Sequence, residues 1–437
     1  MSELTHGFRI IPDKCDGCMA CMRACPTHAI RVKKGKATVL PELCIDCGSC
    51  LAACPTGAIT ATTITFAELD RFKFKVAVAT PALFTQFPNT PVQIGQALLA
   101  LGFDAVWKYA VDIELIDRAI QDYVQKWPGP FPLISNSCPV IVRLVQVAYP
   151  AMVDQLIRIE APREIAGREI KRYYSQALGL APAEIAAIYI APCQAKTISI
   201  LQPAEGAGSY LDGAVGISQI YNELLAIMRR NAGPPESPKG APSSSEWFIS
   251  AAPEGEFPNL SREHYLPLQG ISDITKVFND VEKGKIRNVD FLECHACQGA
   301  CIGGNLTVEN IYVARSKNLR LVAARSAPSP ELIEEVERRY AAEDFALRAP
   351  IRPRNTEGKD ISLRERVERK KRAAELLKAL PRLNCGLCGA PTCRSHAEDA
   401  AAGRDDIGEC VFLSPERIRV LRDIYRDRRP APERRAG

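Results

Sequence analysis

The sequence lacks any long apolar run: nowhere do about 18 apolar residues follow one another, the length that a membrane-spanning helix needs. The N-terminal stretch MSELTHGFRIIPDKC also lacks the apolar core of a signal peptide and contains no twin arginine. We therefore expect no membrane span and a cytoplasmic location. A basic stripe interleaved with aromatic residues is absent too, so we expect no nucleic-acid partner.

Aromatic residues are scarce, at 7% of the chain, yet 46% of the 437 residues are hydrophobic, which supports a sizeable buried core. The length allows about three domains of ordinary size. The formal net charge is only +5. Metal clusters held by thiolates would add negative charge, so this small excess does not indicate a polyanionic partner.

Cysteine, in contrast, is abundant, with 17 residues. In a short secreted chain this number would predict a disulfide framework. Here the cysteines fall into tight Cys-x-x-Cys groups in a long chain that shows no export signal, which favours metal ligation.

Two copies of one pattern, Cys-x2-Cys-x2-Cys-x3-Cys-Pro, occupy the first 60 residues. In this run three cysteines hold one [4Fe–4S] cluster, and the fourth reaches the other cluster, as in bacterial ferredoxins. Two zinc sites would instead need separate Cys-x-x-Cys pairs. We therefore predict an α+β ferredoxin domain over residues 1–65. Its two clusters are assigned to Cys15, Cys18, Cys21 and Cys54, and to Cys44, Cys47, Cys50 and Cys25.

The rest of the chain divides by pattern. Over residues 66–325, β-rich runs such as FKVAVAT and AAIYIAP alternate with helical stretches such as VQIGQALLALG, which predicts a large α/β domain. The Pro/Gly/Ser-rich segment 231–248 within it predicts a surface loop. Residues 326–380 are highly charged and helical in pattern, so we predict a connector with solvated helix faces. A small helical domain over 381–425 and a disordered tail over 426–437 complete the organisation.

The small C-terminal domain carries four closely set cysteines at x2, x4 and x16 spacing, Cys385, Cys388, Cys393 and Cys410. Thiolates at such spacing favour an iron–sulfur cluster over zinc. The motif resembles the small [4Fe–4S] domain of electron-transport subunits and corrinoid iron–sulfur proteins. His396 is either a ligand or proton carrier or a plain polar helix residue.

Four further cysteines are scattered through the large domain in SNSCPVIVRL, APCQAK and ECHACQGACIGGN. Each could be structural alone, but a Cys-Pro after a β-run and a Cys-x3-Cys with flanking glycines together suggest a cluster pocket. The order and the residues of these three segments resemble the three signatures of the [FeFe]-hydrogenase catalytic domain. The resemblance implies a two-lobed α/β fold and an H-cluster, a [4Fe–4S] cubane bridged to a diiron subsite with CO, CN and dithiolate ligands.

The resemblance also implies roles for individual residues. Lys196 would hydrogen-bond a cyanide ligand, and Pro81 and Ala82 would contact the diiron ligands through the backbone. The cubane would be held by four cysteines, of which Cys301 also bridges to the diiron subsite: Cys138, Cys193, Cys297 and Cys301.

Several positions depart from the family pattern. Ser137 stands where productive enzymes have a proton-relaying cysteine, and a hydroxyl relays protons poorly because its pKa lies far above that of a thiol. Ser199 replaces a glutamate and His295 a methionine. These features resemble the divergent, H2-sensing groups C and D of the family, so we expect slow turnover. Cys294, the one cysteine outside the four ligand sets, is either a substitute relay or a buried spectator.

Three functions follow as hypotheses. The first is an [FeFe]-hydrogenase-like oxidoreductase that interconverts H2 and protons, with a sensing or regulatory role. The second is a non-hydrogenase electron-transfer subunit of a larger redox complex. The third, a scaffold for cluster assembly, fits the cysteine count but not the retained Lys196. We expect a ferredoxin, flavoprotein or signalling protein as partner, and an oligomer or complex subunit as the working form.

Overall fold

A computed structural model describes residues 6–107, 109–204, 206–230, 264–323, 330–356 and 361–426. The predicted surface loop 231–248 and residues 427–437 of the predicted tail lie outside this part. The chain forms two compact units. The larger unit comprises Met1–Arg9, Ile45–Gly48 and Ala61–Arg354, and the smaller unit comprises Ile10–Cys44, Ser49–Thr60 and Asn355–Gly437.

The strands and helices follow the chain in a mixed order. The strands are β1 Phe8–Ile10, β2 Ile30–Lys33, β3 Lys36–Val39, β4 Ile59–Ala61, β5 Phe74–Val78, β6 Ala105–Trp107, β7 Leu133–Ile134, β8 Ile185–Ala191, β9 Gly213–Gly216, β10 Tyr265–Gln269 and β11 Phe291–His295. The helices are α1 Ala20–Ala24, α2 Ser49–Ala53, α3 Pro81–Phe84, α4 Pro91–Leu101, α5 Tyr109–Lys126, α6 Pro139–Ala148, α7 Pro162–Leu178, α8 Gln194–Leu201, α9 Ile217–Arg230, α10 Ile271–Glu282, α11 Ile311–Ala323, α12 Pro330–Ala341, α13 Leu363–Ala379, α14 Cys393–Ala401 and α15 Pro415–Arg426.

The larger unit contains two parallel sheets, one of four strands in the order β6-β5-β8-β9 and one of three in the order β10-β11-β7. Strand β8 is buried along its whole length because helices cover both faces of its sheet. Its residues alternate between two apolar clusters: Ile188 and Ile190 join one, and Ile185 and Tyr189 join the other. The predicted α/β character of the large domain is confirmed.

Local sequence explains where the helices of this unit begin. Thr90 accepts the backbone N–H of Gln93, whose side chain accepts the N–H of Thr90, so the two form a capping box for α4. Pro91 occupies the first turn, where its missing N–H costs nothing. At the other end Gly102 adopts a φ of 118° and closes the helix.

The smaller unit shows the sequence repeat as a structural repeat. Two 3₁₀ helices, Pro12–Lys14 and Pro41–Leu43, lead into Cys15 and Cys44, and the short helices α1 and α2 follow. Strands β2 and β3 form an antiparallel hairpin. Helices α13, α14 and α15 share an apolar cluster that includes Leu376 and Leu421.

The charged segment 326–380 is helical, but its helices are not free of packing. Helix α12 packs against α5, and α13 packs against α14. Arg339 on α12 is buried and pairs with Glu169 and Asp344. A charged residue in this segment therefore need not face solvent. Arg339 can be buried because Glu169, which is distant in the sequence, neutralises its charge. None of the described helices has both the length and the apolar character that crossing a bilayer requires.

Candidate metal centres

Three cysteine segments of the larger unit meet where parallel strands end. Cys138 follows β7 and caps the N-terminus of α6, and Cys193 follows β8 and caps α8. Cys297 follows β11, and Cys301 lies in the next 3₁₀ helix, Ala300–Gly303. Parallel sheets gather ligand-binding residues at the carboxyl ends of their strands, and helix N-termini stabilise negative charge.

The four thiols lie close enough to influence one another electrostatically. Burial raises the pKa of Cys193 to about 11, with further contributions from the charges of Cys301 and Cys138. Burial also raises the pKa of Cys297 well above its usual value, and Cys193 and Cys138 add to the shift. Four thiolates can therefore share this buried place only if a cationic core neutralises them, which fits a cluster. We call this set the catalytic cysteines.

Cys301 differs from the other three because two positive groups face it. Lys196 Nζ lies 3.3 Å from its Sγ, and His295 also hydrogen-bonds it. Burial alone would raise its pKa, but Lys196 and His295 lower that pKa to about 6. Cys301 is therefore a thiolate at neutral pH, the form that binds metal.

Lys196 is held on the first turn of α8 by a contact that the sequence did not reveal. Its Nζ lies 3.2 Å from Tyr189 Oη and 5.6 Å from the centre of the Tyr189 ring. Tyr189 is fully buried in β8, the strand that leads to Cys193. Strand and helix thus aim the ammonium group at Cys301.

His295, at the end of β11, belongs to the same charged group. Its Nε2 lies 2.9 Å from Glu293 Oε1. Burial would lower its pKa, but hydrogen bonds to Cys301 and Glu293 raise that pKa to about 10. The imidazole is therefore protonated at neutral pH, where the family pattern has a neutral methionine. Glu293 opens the motif ECHACQGACIGGN, but the motif alone assigns it no role because its pairing with His295 appears only in the fold.

Three further predicted site residues are Ser137, Ser199 and Cys294. Ser137 is half-buried directly before Cys138. Ser199 Oγ donates to the carbonyl of Lys196 at 2.8 Å, a bond within its own helix. Cys294 is fully buried, and burial raises its pKa well above the usual value, which favours the spectator alternative.

Pro81 and Ala82 begin α3, immediately after β5. Ala82 and Ile302 belong to one apolar cluster, against which Cys301 packs. Helix α3 also contacts the 3₁₀ helix Ala300–Gly303, which carries Cys301.

Asp46 is a residue that the sequence analysis missed. It directly precedes Cys47, is 1% exposed and forms a buried ion pair with Arg143 on α6. Its carboxylate also accepts the N–H of Gly7 at 2.9 Å, and its carbonyl accepts Gln194 Nε2 at 2.6 Å. Cys47 packs against the same apolar cluster as Cys138 and Cys193. A predicted ferredoxin ligand is thereby fixed beside the catalytic cysteines.

The glycines after Cys301 are required by close backbone contacts. A Cβ on Gly304 would lie 2.3 Å from the carbonyl oxygen of Pro192, and one on Gly303 would lie 1.9 Å from that of Gln298. Neither oxygen can move without displacing backbone next to Cys193 or Cys297.

We predict that Gly304→Ala displaces this loop and lowers the iron bound by the catalytic cysteines, because a methyl group cannot fit 2.3 Å from a backbone oxygen. Iron per chain and absorbance near 400 nm, measured on anaerobically purified protein, check this. The control is Gly284→Ala, at a positive φ but with open space around it, where we expect about 1 kcal/mol of strain and full iron. Equal iron in both variants would contradict the steric argument.

In the smaller unit, four predicted ligands line one cavity, with an empty volume of about 320 Å³ including its open mouth. Val32 and Ile59 contribute apolar walls. We call this the first ferredoxin cavity. The cysteines that line it are Cys15, Cys18, Cys21 and Cys54. An apolar pocket with four convergent thiols fits a [4Fe–4S] cluster.

The second ferredoxin set is placed less simply. Cys25, Cys44 and Cys50 belong to the smaller unit, whereas Cys47 belongs to the larger one. Cys25 Sγ accepts the N–H of Ala29 at 3.2 Å, the kind of bond that tunes cluster potentials.

The C-terminal cysteines also line one cavity of about 320 Å³, measured in the same way. We call it the C-terminal cavity, and its cysteines are Cys385, Cys388, Cys393 and Cys410. His396 lines it too, and its Nδ1 lies 3.0 Å from Asp405. Burial would lower the pKa of His396, but Asp405 and Cys388 raise it to about 10. His396 thus lies between the Asp405 carboxylate and the Cys388 thiol, where a positive charge on its ring is stabilised from both sides.

Comparison with known proteins agrees with this arrangement. Residues 73–237 match the family model "Iron only hydrogenase large subunit, C-terminal domain". Residues 14–58 match a 4Fe-4S dicluster domain, and residues 380–412 match an iron–sulfur cluster domain. Residues 73–237 are thus similar to the catalytic part of iron-only hydrogenases. The predicted α/β fold with an N-terminal ferredoxin module is confirmed.

The relatives of this hydrogenase-like chain include enzymes and assembly factors. Iron hydrogenase 1 of Clostridium pasteurianum is 24% identical over 260 residues, 48% of this chain and 44% of that protein. The NADP-reducing hydrogenase subunit HndD of Solidesulfovibrio fructosivorans is 26% identical, over 36% of this chain and 29% of that one. The cytosolic Fe-S cluster assembly factor NAR1 homolog of Schizosaccharomyces japonicus is 29% identical over 15% of this chain and 13% of that one. The matches thus span less than half the length of these relatives.

Among solved structures, a variant of the [FeFe]-hydrogenase HydA1 from Chlamydomonas reinhardtii superposes with a TM-score of 0.45 and 15% identity. The match covers 66% of this chain and 96% of that one. The domain boundaries and the assignment of single ligands stay predictions.

Proposed function

We propose that this hydrogenase-like chain interconverts H2 with protons and electrons at an H-cluster, slowly and in a sensing or regulatory role, and passes electrons through its [4Fe–4S] clusters. The observation that carries the proposal is the 3.3 Å contact between Lys196 Nζ and Cys301 Sγ within the group of catalytic cysteines. A cluster-assembly scaffold has no need for an ammonium group at that position.

The catalytic cysteines would hold the cubane, and Cys301 would also face the diiron subsite. When bound, that subsite supplies the open iron at which H2 is split heterolytically. The chain's own contribution is electrostatic. Lys196 and the protonated His295 both place positive charge beside Cys301, which favours an anionic ligand set there.

Two other features support the proposed route and rate. Asp46 fixes Cys47, a predicted ligand of a ferredoxin cluster, in the same unit as the catalytic cysteines and within electrostatic reach of Cys297, which supports electron transfer through that ligand. Ser137 holds its proton too tightly to relay it quickly, so proton transfer limits the rate.

A non-hydrogenase electron-transfer subunit is the second candidate. The hydroxyl of Ser199, which stands where the family pattern has a glutamate, is used within its own helix, and Ser137 replaces the proton-relaying cysteine. For either function we propose a ferredoxin, flavoprotein or signalling protein as partner, in an oligomer or a larger complex, and a cytoplasmic location.

Exchange of H2 in D2O tests the function, because HD forms whenever H2 is cleaved, however slow the net turnover. Protein matured anaerobically with the diiron-assembly machinery should produce HD, and its Cys301→Ala variant should not. HD formation equal to that of the Cys301→Ala protein would refute hydrogenase chemistry and leave the electron-transfer candidate.

We predict that Ser137→Cys raises the rate of H2 oxidation at least about tenfold, because a positioned thiol can take part in general acid–base catalysis that a hydroxyl cannot. Dye-linked H2 uptake measures the rate. Ser137→Ala is the matched control and should not exceed the wild type. An unchanged rate in Ser137→Cys would show that another step limits turnover.

A further inference from the structure

Strand β2 of the smaller unit lines the first ferredoxin cavity and is hydrogen-bonded to the segment around Cys388 that lines the C-terminal cavity. Val32 lines the first ferredoxin cavity. The backbone N–H of the same residue donates to the carbonyl of Gly389 at 2.9 Å. Gly389 directly follows Cys388, which lines the C-terminal cavity. A single hydrogen bond therefore joins the walls of the two cavities.

A second contact joins the residues next to two other cysteines. Met22, which follows Cys21, is 1% exposed. A Cβ on Gly386, which follows Cys385, would lie 3.0 Å from Met22 Cε. The Met22 side chain thus leaves no room for a side chain at position 386.

The neighbours of Val32 on β2 hold the C-terminal domain in place. Because side chains alternate along a strand, Arg31 and Lys33 point away from the cavity that Val32 lines. Lys33 Nζ donates to the carbonyl of Cys388 at 2.6 Å and to Asp405 Oδ2 at 2.7 Å. Arg31 forms a buried ion pair with Asp399.

Gly389 makes the close approach possible. Its φ is +80°, and a Cβ at this position would lie 2.1 Å from the carbonyl oxygen of Val32. Only glycine allows the backbone next to Cys388 to reach the strand.

We propose that β2 is an electron-transfer bridge between a cluster in the C-terminal cavity and the cluster in the first ferredoxin cavity, with Lys33 and Gly389 as positioning residues. One electron crosses in each event: the donor cluster goes from the 1+ to the 2+ state and the acceptor from 2+ to 1+. A one-electron redox protein replaces or removes that electron at the C-terminal domain. The inference rests on the iron–sulfur clusters and is independent of the proposed H2 chemistry.

Electron paramagnetic resonance tests the bridge on full-length protein produced without the diiron-assembly machinery, so the outcome does not depend on hydrogenase function. Reduction with dithionite makes each cluster paramagnetic. The Cys393→Ala protein lacks the C-terminal cluster and gives the signal of the remaining clusters. If the clusters are coupled, subtracting this signal from the wild-type spectrum leaves a spectrum that differs from that of one isolated [4Fe–4S] cluster. Iron content and integrated spin verify that the clusters are present.

We expect this magnetic interaction in the wild type and its loss in Gly389→Ala and Lys33→Gln. Two matched controls should keep it: Gly403→Ala, at a positive φ with open space, and Lys34→Gln, an exposed lysine of the same hairpin. Lys33→Arg, which keeps the charge, should restore part of it. A wild-type spectrum that equals the simple sum, or an interaction that survives both test variants, overturns the proposal. If the Gly389→Ala protein loses iron, its spectrum does not report on the interaction, and the Lys33→Gln protein decides whether the bridge exists.

Discussion

Replacing Asp46 with alanine is expected to destabilise the larger unit by about 3–5 kcal/mol, because it leaves the buried guanidinium of Arg143 without its carboxylate. The N–H of Gly7 would lose its acceptor as well. Guanidinium unfolding of anaerobic protein, followed by tryptophan fluorescence, measures the loss. The same variant should weaken the fixation of Cys47 beside the catalytic cysteines.

Two further variants show whether the buried ion pair is the cause. Asp154→Ala removes one partner of an exposed pair with Arg158 and should cost at most about 1 kcal/mol. The double variant Asp46→Leu/Arg143→Met removes both buried charges and should be more stable than Asp46→Ala alone. If the Asp46→Ala and Asp154→Ala proteins have the same free energy of unfolding, Asp46 is not the residue that fixes this loop.

The Lys196→Met variant should lose the unusual acidity of Cys301. In the wild type the pKa of Cys301 is about 6, because Lys196 and His295 outweigh burial. Without Lys196, burial dominates and the thiolate forms only at higher pH. The thiolate absorbance of Cys301 is obtained by subtracting the absorbance of the Cys301→Ser apoprotein from that of the wild-type apoprotein. As the pH rises, this absorbance should appear near pH 6 in the wild type and at a higher pH in the Lys196→Met protein.

The same substitution should lower the rate of HD formation by about 10²–10³-fold, the usual effect of removing one hydrogen-bond donor from a preorganised site. Lys196→Arg, which keeps the charge, should retain more of the activity. Lys276→Met, at an exposed lysine paired with Asp273, is the control and should change neither quantity. An unshifted Cys301 titration in Lys196→Met would contradict the electrostatic role of this lysine.

The cysteine sets were predictable because cluster ligation imposes short, local spacings. The structure gathers Cys15, Cys18 and Cys21 with Cys54 in one cavity, the three-plus-one set that the spacing predicts. The α/β character was predictable as well, because β8 reads as an uninterrupted apolar run and α4 carries its own capping residues.

The supporting charges were not predictable, since their partners lie far apart in the chain. Asp46 and Arg143 are separated by 97 positions, and Lys33 and Asp405 by 372. A single aspartate between two cysteines reads as part of a solvated loop until the fold shows that it is buried. Arg339 illustrates the same point, because its place in a charged helix predicts solvent exposure and the structure buries it. Spacing reveals ligands, whereas the residues that orient and neutralise them emerge only from the tertiary structure.

The infrared spectrum of anaerobically matured protein tests the presence of an H-cluster most directly. After co-expression with the diiron-assembly machinery, the account predicts CO and CN stretching bands in the wild type. The Cys301→Ala protein, prepared in the same way, should lack them. A wild-type spectrum without these bands, in protein whose iron content shows the [4Fe–4S] clusters to be present, would contradict the hydrogenase account.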